Sequence, residues 1–215
     1  MGNFVTAKTS ADSIVLAGDD SSIYTGFEYY MHRDMARGGR VKDAPYVTTY
    51  TGRFYPTTPS PSDFEIEDVA HSLAMQCRYG GAGADFYSTA EHSVLLAGWL
   101  AKNGYGAETQ LIALLHDAPE ALSGMGDQQR PMKTDYCRHV EGRIWREAIA
   151  VKFNLPHEIP EIVHEIDGRI IADEMQQNCH ECDPRHDNPL GVTLKFWSPG
   201  VAEIHFMDAF RRLAK

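Results

Sequence analysis

Cysteine, positive charge and long apolar runs are all scarce in this 215-residue chain. Its four cysteines are too few for the disulfide scaffold of a small secreted protein. No apolar run approaches the roughly 18 residues of a membrane-spanning helix. The N-terminus also lacks a basic segment followed by an apolar one. We therefore expect a soluble, cytoplasmic protein with no membrane partner.

The charge balance argues against one class of partner. Twenty basic and thirty acidic residues give a formal net charge of −10. Binding along polymeric DNA or RNA depends on Lys and Arg displacing counterions, so we expect no polymeric nucleic acid as a partner. A single nucleotide remains compatible, because a metal ion and a few cations can offset its phosphates locally. The glycine-rich phosphate-loop patterns GxxxxGK and GxGxxG are also absent.

The helical period of apolar residues dominates the chain after about residue 61. Ser62 with Glu65, and Ser88 with Glu91, form patterns typical of capping boxes. Residues 1–45 show no sustained period, and we treat them as an irregular N-terminal extension of unassigned role. Residues 46–215 are predicted to form one all-α domain of five to six core helices. The apolar period places these helices near residues 66–77, 88–102, 111–122, 140–151, 160–170 and 201–213.

Ionisable residues interrupt one of the most apolar predicted helices. His116, Asp117 and Glu120 lie within the helix predicted over 111–122, where an unpartnered buried carboxylate costs several kcal/mol. His92 on the preceding helix and Asp167 on a later one could meet them inside a bundle. Two imidazoles and two carboxylates suit Zn, Co, Mn or Fe, so a divalent metal ion is the predicted cofactor. The alternative is that His116 and Asp117 occupy the polar edge of an amphipathic helix.

The arrangement His…His-Asp…Asp resembles the metal-dependent phosphohydrolases of the HD-domain family. The resemblance covers about residues 47–213, and within the family it points to phage dATP triphosphohydrolases and bacterial 5′-deoxynucleotidases. The segments that carry it include Thr51-Gly52-Arg53-Phe54, Cys77-Arg78-Tyr79, Ala90-Glu91-His92-Ser93, His116-Asp117-Ala118-Pro119-Glu120 and Pro131-Met132-Lys133. The resemblance implies that the fold is the HD-domain helical bundle.

Site residues follow from the same resemblance. The implied metal ligands are His92, His116, Asp117 and Asp167. The residues with implied catalytic roles are Glu120, Arg78 and Asp127. Asp127 is matched across a link that is about two residues longer here than in relatives. The residues expected to bind substrate are Tyr79, against the base or sugar, and Arg53 and Lys133, against the phosphates.

The predicted activity is hydrolysis of deoxynucleotide phosphate esters. The favoured reaction converts dATP to deoxyadenosine and triphosphate, with a second Mg or Co ion on the substrate phosphates as a further expectation. A 5′-deoxynucleotidase acting on dNMPs is the first alternative, and a non-catalytic nucleotide-binding HD module is the second. Because relatives are often oligomeric, we expect a homo-oligomer, located in the host cytoplasm if a phage encodes it.

Overall fold

The computed structural model of the chain describes residues 9–10, 13–14 and 44–214. The chain divides into two units, Met1–Pro45 and Tyr46–Lys215. In the first unit the described residues form an antiparallel pair of strands, β1 (Thr9–Ser10) and β2 (Ser13–Ile14). The predicted irregularity of the rest of the extension lies outside the described residues.

The second unit is mostly helical, which confirms the predicted all-α class. It opens with a short antiparallel hairpin, β3 (Val47–Thr48) and β4 (Arg53–Phe54). Its α-helices are α1 (Ile66–Met75), α2 (Thr89–Lys102), α3 (Ala107–Leu115), α4 (Ala118–Ser123), α5 (Asp135–Ile144), α6 (Ala150–Phe153), α7 (Glu161–Asn178) and α8 (Pro199–Leu213). Two 3-10 turns, Arg78–Gly81 and Arg130–Met132, lie between them, and a π-helical turn, Trp145–Ile149, joins α5 to α6.

The core lies between helices that are distant in sequence. α2 packs against α3, and α8 covers α1 and α2. Most helices contribute fully buried apolar side chains to one cluster, and these include Leu73, Leu96, Leu114, Ile144, Ile170 and Phe206. Burying such a side chain contributes roughly 1.5–3 kcal/mol, so this shared core fixes the relative positions of the helices that carry the polar site.

The helix predicted over residues 111–122 is wrong as a single element, because the chain bends at His116 and Asp117. α3 ends at Leu115, and Asp117, with φ −92° and ψ 2°, lies at the N-cap of α4. Pro119 explains the break, since it lacks a backbone N–H and its ring would clash with the carbonyl of Leu115. The bend leaves His116 and Asp117 outside both helices.

Local capping also differs from the prediction. The N-cap of α1 is Glu65, and its backbone N–H donates to Asp68 Oδ2 over 2.8 Å, so Ser62 does not cap this helix. Ser88 does cap α2 by accepting the backbone N–H of Glu91. The Glu91 side chain, however, turns away from the cap toward the C-terminal segment.

No helix in the described ranges is both long enough and apolar enough to cross a bilayer.

Candidate metal centre

Three parts of the bundle bring the predicted ligand residues to one place. His92 lies in the first turn of α2, and Asp167 lies on α7, which packs against α2. His116 and Asp117 come from the bend between α3 and α4. We call these four residues the His/Asp cluster.

The distances within the His/Asp cluster are close to those between ligands of a single ion. His92 Nε2 lies 3.3 Å from Asp167 Oδ1 and 3.6 Å from Asp117 Oδ2. His116 Nε2 lies 3.1 Å from Asp117 Oδ1 and 3.7 Å from Asp167 Oδ1. Ligand atoms at about 2.0–2.2 Å from one ion are separated from one another by about 3.0–3.5 Å. One atom each from His92, His116 and Asp167 lies within 4.8 Å of the others.

The outer nitrogen of each histidine ring has a partner that orients the ring. His92 Nδ1 lies 2.8 Å from Oε1 of the buried Glu174, and His116 Nδ1 lies 2.8 Å from the backbone carbonyl of Ala113. Each acceptor favours a proton on Nδ1 and directs Nε2 into the cluster. Metal-binding histidines characteristically donate their other N–H to a carboxylate or a carbonyl in this way.

The His/Asp cluster attracts positive charge. Burial alone would lower the pKa of His116, but the carboxylates of Asp117 and Asp167 raise it to about 9. Burial and Arg78 lower the pKa of His92, and Glu174 and Asp167 outweigh them so that the net shift is upward. The cluster therefore favours added protons or an equivalent cation.

The donor set fits a divalent cation. In the described part of the chain, His92 Nε2, His116 Nε2 and Asp117 Oδ2 are buried without a hydrogen-bond partner. Leaving a buried polar atom unpaired costs about 1–3 kcal/mol, so three at one point call for an explanation. A cation of the Zn, Co, Mn or Fe type would satisfy all three and would displace the protons that the raised histidine pKa values favour.

The predicted residues Arg78 and Tyr79 lie beside the His/Asp cluster. The buried Arg78 places Nε 3.3 Å from Glu174 Oε1 and Nη1 3.8 Å from Asp117 Oδ2. The Tyr79 hydroxyl donates to Glu174 Oε2, and the arginine Cζ lies 5.5 Å from the tyrosine ring centroid. Tyr79 has a positive φ of 58°, a strained conformation for an aromatic residue. Its hydroxyl thus contacts the carboxylate that orients His92.

Glu120 and Lys133 contact each other. Lys133 Nζ lies 2.5 Å from Glu120 Oε1 and 3.0 Å from Glu141 Oε2, and the lysine side chain is only 13% exposed. Burial and the Asp117 carboxylate raise the pKa of the Glu120 carboxyl to about 9, and Lys133 opposes this shift. Lys133, predicted as a phosphate ligand, is therefore held between two carboxylates.

Two further predicted residues are placed differently. The half-buried Asp127 is close enough for its charge to raise the pKa of both Arg78 and Glu120. Arg53 is exposed on β4, with its Cζ 4.4 Å from the ring centroid of Tyr46. Within residues 44–214, no hydrogen bond or ion pair joins Arg53 to the His/Asp cluster.

Two residues at the site were not predicted from the sequence. Glu174 lies seven positions after Asp167, which is two helical turns along one face of α7, and this spacing is a signal that could have identified it. Arg130 donates from Nη2 to Asp167 Oδ2. No spacing rule identifies Arg130, because its turn reaches α7 only through the tertiary fold.

Two curated relatives match about half of this chain. No family model matches it. Over 109 residues it is 39% identical to an uncharacterized protein of Rhodobacter capsulatus, a match that covers 47% of this chain and 54% of that protein. Over 115 residues it is 35% identical to the uncharacterized protein YfdR of Escherichia coli K12, covering 52% of this chain and 60% of YfdR. The matches thus span little more than half of these relatives, whose names state no activity.

Proposed function

We propose that the protein is a metal-dependent phosphohydrolase of the HD-domain type that acts on deoxynucleotides, with dATP as the favoured substrate. One observation carries the proposal: the ring nitrogens of His92 and His116 converge with the carboxylates of Asp117 and Asp167, and His92 Nε2, His116 Nε2 and Asp117 Oδ2 are buried without a hydrogen-bond partner. A purely structural polar cluster would pair those atoms with each other or with backbone groups.

The His/Asp cluster would hold the metal ion. His92 and His116 supply neutral imidazole nitrogens, and Asp117 and Asp167 supply carboxylate oxygens. A divalent ion there would act as a Lewis acid that polarises a phosphoryl oxygen and lowers the pKa of water. Glu174 has the supporting role of fixing the tautomer of His92.

Arg78 and Glu120 are the proposed catalytic side chains. The planar guanidinium of Arg78 complements charge that develops on the phosphate oxygens during hydrolysis. Glu120, held by the ion pair with Lys133, would orient the attacking water and take its proton once a bound cation lowers the glutamate pKa from about 9. Water attack at the α-phosphorus would break the bond to the 5′ oxygen, which receives the proton that Glu120 took from the water and leaves as part of deoxyadenosine while triphosphate is released.

A 5′-deoxynucleotidase is the second candidate, and the position of Lys133 favours it. A triphosphate needs cations for its outer phosphates, yet Lys133 is engaged by Glu120 and Glu141. Arg53 lies on Tyr46 with no described contact to the cluster. With Lys133 engaged and Arg53 away from the cluster, a monophosphate would demand less of the site.

Product analysis tests both candidates. Purified protein with Mn²⁺ or Co²⁺ is incubated separately with each dNTP and dNMP, and the products are separated by chromatography. Deoxyadenosine and triphosphate from dATP, with dAMP untouched, would support the triphosphohydrolase. Hydrolysis of dNMPs with dNTPs spared would favour the nucleotidase. No product from any of them would overturn the enzyme proposal and favour a non-catalytic nucleotide-binding module.

Matched variants accompany that experiment. Asp117→Asn is expected to be inactive, because it removes a ligand carboxylate. Asp208→Asn changes an exposed aspartate on α8 that pairs with Arg211, and it is expected to retain full activity. Equal activity of the two variants would mean that any observed hydrolysis arises elsewhere than in the His/Asp cluster.

A further inference from the structure

Two arginines contact the His/Asp cluster from different environments. Arg78 is 9% exposed and lies against Asp117 and Glu174. Arg130 is 59% exposed and donates to Asp167 Oδ2, while the other oxygen of Asp167 faces both histidine rings. Asp167 therefore lies between the buried cluster and a cation at the solvent side.

The backbone around Arg130 is held in place although its side chain is exposed. Arg130 begins the 3-10 turn Arg130–Met132, whose geometry is closed by the Met132 N–H donating to Gln129 O over 2.8 Å. Arg138 on α5 donates from Nη2 to the carbonyls of Arg130 and Lys133 at 3.1 and 3.0 Å. The guanidinium thus extends from a fixed base.

The other cations at the cluster are already engaged. Arg78 is buried against two carboxylates, and Lys133 is held by Glu120 and Glu141. A guanidinium carries five N–H donors, and the described contact with Asp167 uses one Nη atom of Arg130. Among the cations that contact these carboxylates within residues 44–214, Arg130 is the exposed one, so it retains donors that can reach an incoming anion.

We propose that Arg130 binds the outer phosphates of a nucleoside triphosphate and thereby sets the preference for triphosphate over monophosphate. The guanidinium exchanges Asp167 for phosphate oxygens, which accept two parallel N–H bonds in the geometry that arginine favours. The exchange leaves Asp167 Oδ2 available within the cluster. This inference rests on the proposed function, because it names the substrate class of the same site.

Anion binding to the metal-loaded protein tests the inference without measuring turnover. Inorganic triphosphate and inorganic phosphate are titrated calorimetrically into the full chain loaded with Mn²⁺, for the wild type, Arg130→Gln and Arg211→Gln. Arg211 is a matched control, because it is 67% exposed and pairs with Asp208. Because Arg130→Gln loses one charge-assisted contact, this variant should bind triphosphate about tenfold or more weakly than the wild type does. Its affinity for phosphate should fall by less than about threefold. Arg211→Gln should match the wild type for both anions.

Three results would overturn the inference. Equal weakening of phosphate and triphosphate by Arg130→Gln would make the residue a general electrostatic contributor. Loss of Mn²⁺ binding in that variant would make it a structural support for Asp167. Failure of the wild type to bind triphosphate would remove the site altogether.

Failure of the inference and failure of the proposed function give different results. Selective loss of triphosphate binding in Arg130→Gln, without hydrolysis of any deoxynucleotide by the wild type, would retain the anion site and reject the enzyme. Hydrolysis by the wild type, with triphosphate binding unaffected in Arg130→Gln, would retain the enzyme and reject the role of Arg130.

Discussion

Glu91 and His92 are adjacent on α2 and are both fully buried, yet they differ in whether their polar atoms have hydrogen-bond partners. The Glu91 carboxylate accepts the backbone N–H groups of residues 195–197, at 2.5, 3.1 and 2.7 Å. His92 keeps one ring nitrogen buried without a hydrogen-bond partner. The first side chain fixes the C-terminal segment to α2, and the second directs its unpartnered nitrogen into the His/Asp cluster.

The same contrast occurs on α7. Asp173 accepts the backbone N–H groups of residues 190–192, at 2.6, 2.9 and 3.0 Å. Within residues 44–214, the next residue, Glu174, contacts side chains instead, among them those of Arg78, Tyr79 and His92. A buried carboxylate with backbone donors stabilises the fold, whereas one surrounded by polar side chains orients those side chains. Burial alone therefore does not distinguish these two carboxylates, whereas their hydrogen-bond partners do.

The largest effect is expected for Asp117→Asn, which should separate metal binding from stability. Metal content and turnover should both fall, turnover by more than about a thousandfold, because a ligand and its charge are lost. Folding should change far less than turnover, since the side chain makes no capping bond to α4 and the asparagine oxygen can still accept from His116 Nε2, which lies 3.1 Å from Asp117 Oδ1. Elemental analysis and thermal unfolding measure the two properties. If the variant keeps its metal and its activity, Asp117 is not a metal ligand.

Glu91→Gln should give the opposite result. Replacing the carboxylate leaves three backbone donors with a weaker and partly mismatched acceptor, so the free energy of unfolding should fall by about 3 kcal/mol. Metal bound per folded molecule should stay unchanged. Chemical denaturation measures the loss, and Glu165→Gln serves as control because its exposed pair with Arg169 contributes about 0.5 kcal/mol or less. Loss of metal without loss of stability would place Glu91 in the site.

Much of this contrast could not be predicted from the sequence. The helical period predicts the helices that carry His92 and Asp167, because each local apolar pattern continues over several turns. The apolar period also continues from Leu111 to Leu122 across Pro119. Apolar spacing alone therefore does not predict the bend that places His116 and Asp117 outside the helices. Proline chemistry was the available signal at that position.

Partners that are distant in sequence are harder still to predict. The contact of Glu174 with His92 joins α7 to α2, and that of Arg130 with Asp167 joins a turn to α7. The sequence predicts that Glu91 completes a capping box with Ser88. In the fold, its carboxylate instead accepts the backbone N–H groups of residues 195–197. Local spacing says which side chains share a face, but only packing decides which faces meet.

Glu174→Gln should produce an intermediate effect. The amide would weaken the acceptor for His92 Nδ1, and replacing such a supporting carboxylate costs about 10–100-fold in metal affinity. The change corresponds to about 1.4–2.7 kcal/mol of binding free energy. A Mn²⁺ titration of the variant against Glu165→Gln measures it. Unchanged affinity would mean that Glu174 serves only Arg78 and Tyr79.

The smallest effect is expected at the start of α2, one turn before His92. Ser88 accepts the backbone N–H of Glu91 over 3.1 Å, so Ser88→Ala should lower the free energy of unfolding by about 1 kcal/mol. Ser198 is the matched control, because it occupies the N-cap of α8 without a side-chain capping bond, and its replacement by alanine should cost less. Metal affinity should be the same in both variants, since the tertiary packing of α2 positions His92. Weaker metal binding in Ser88→Ala alone would show that the cap itself positions His92. Residues that stabilise α2 and residues that bind the metal would then not be separate on this helix.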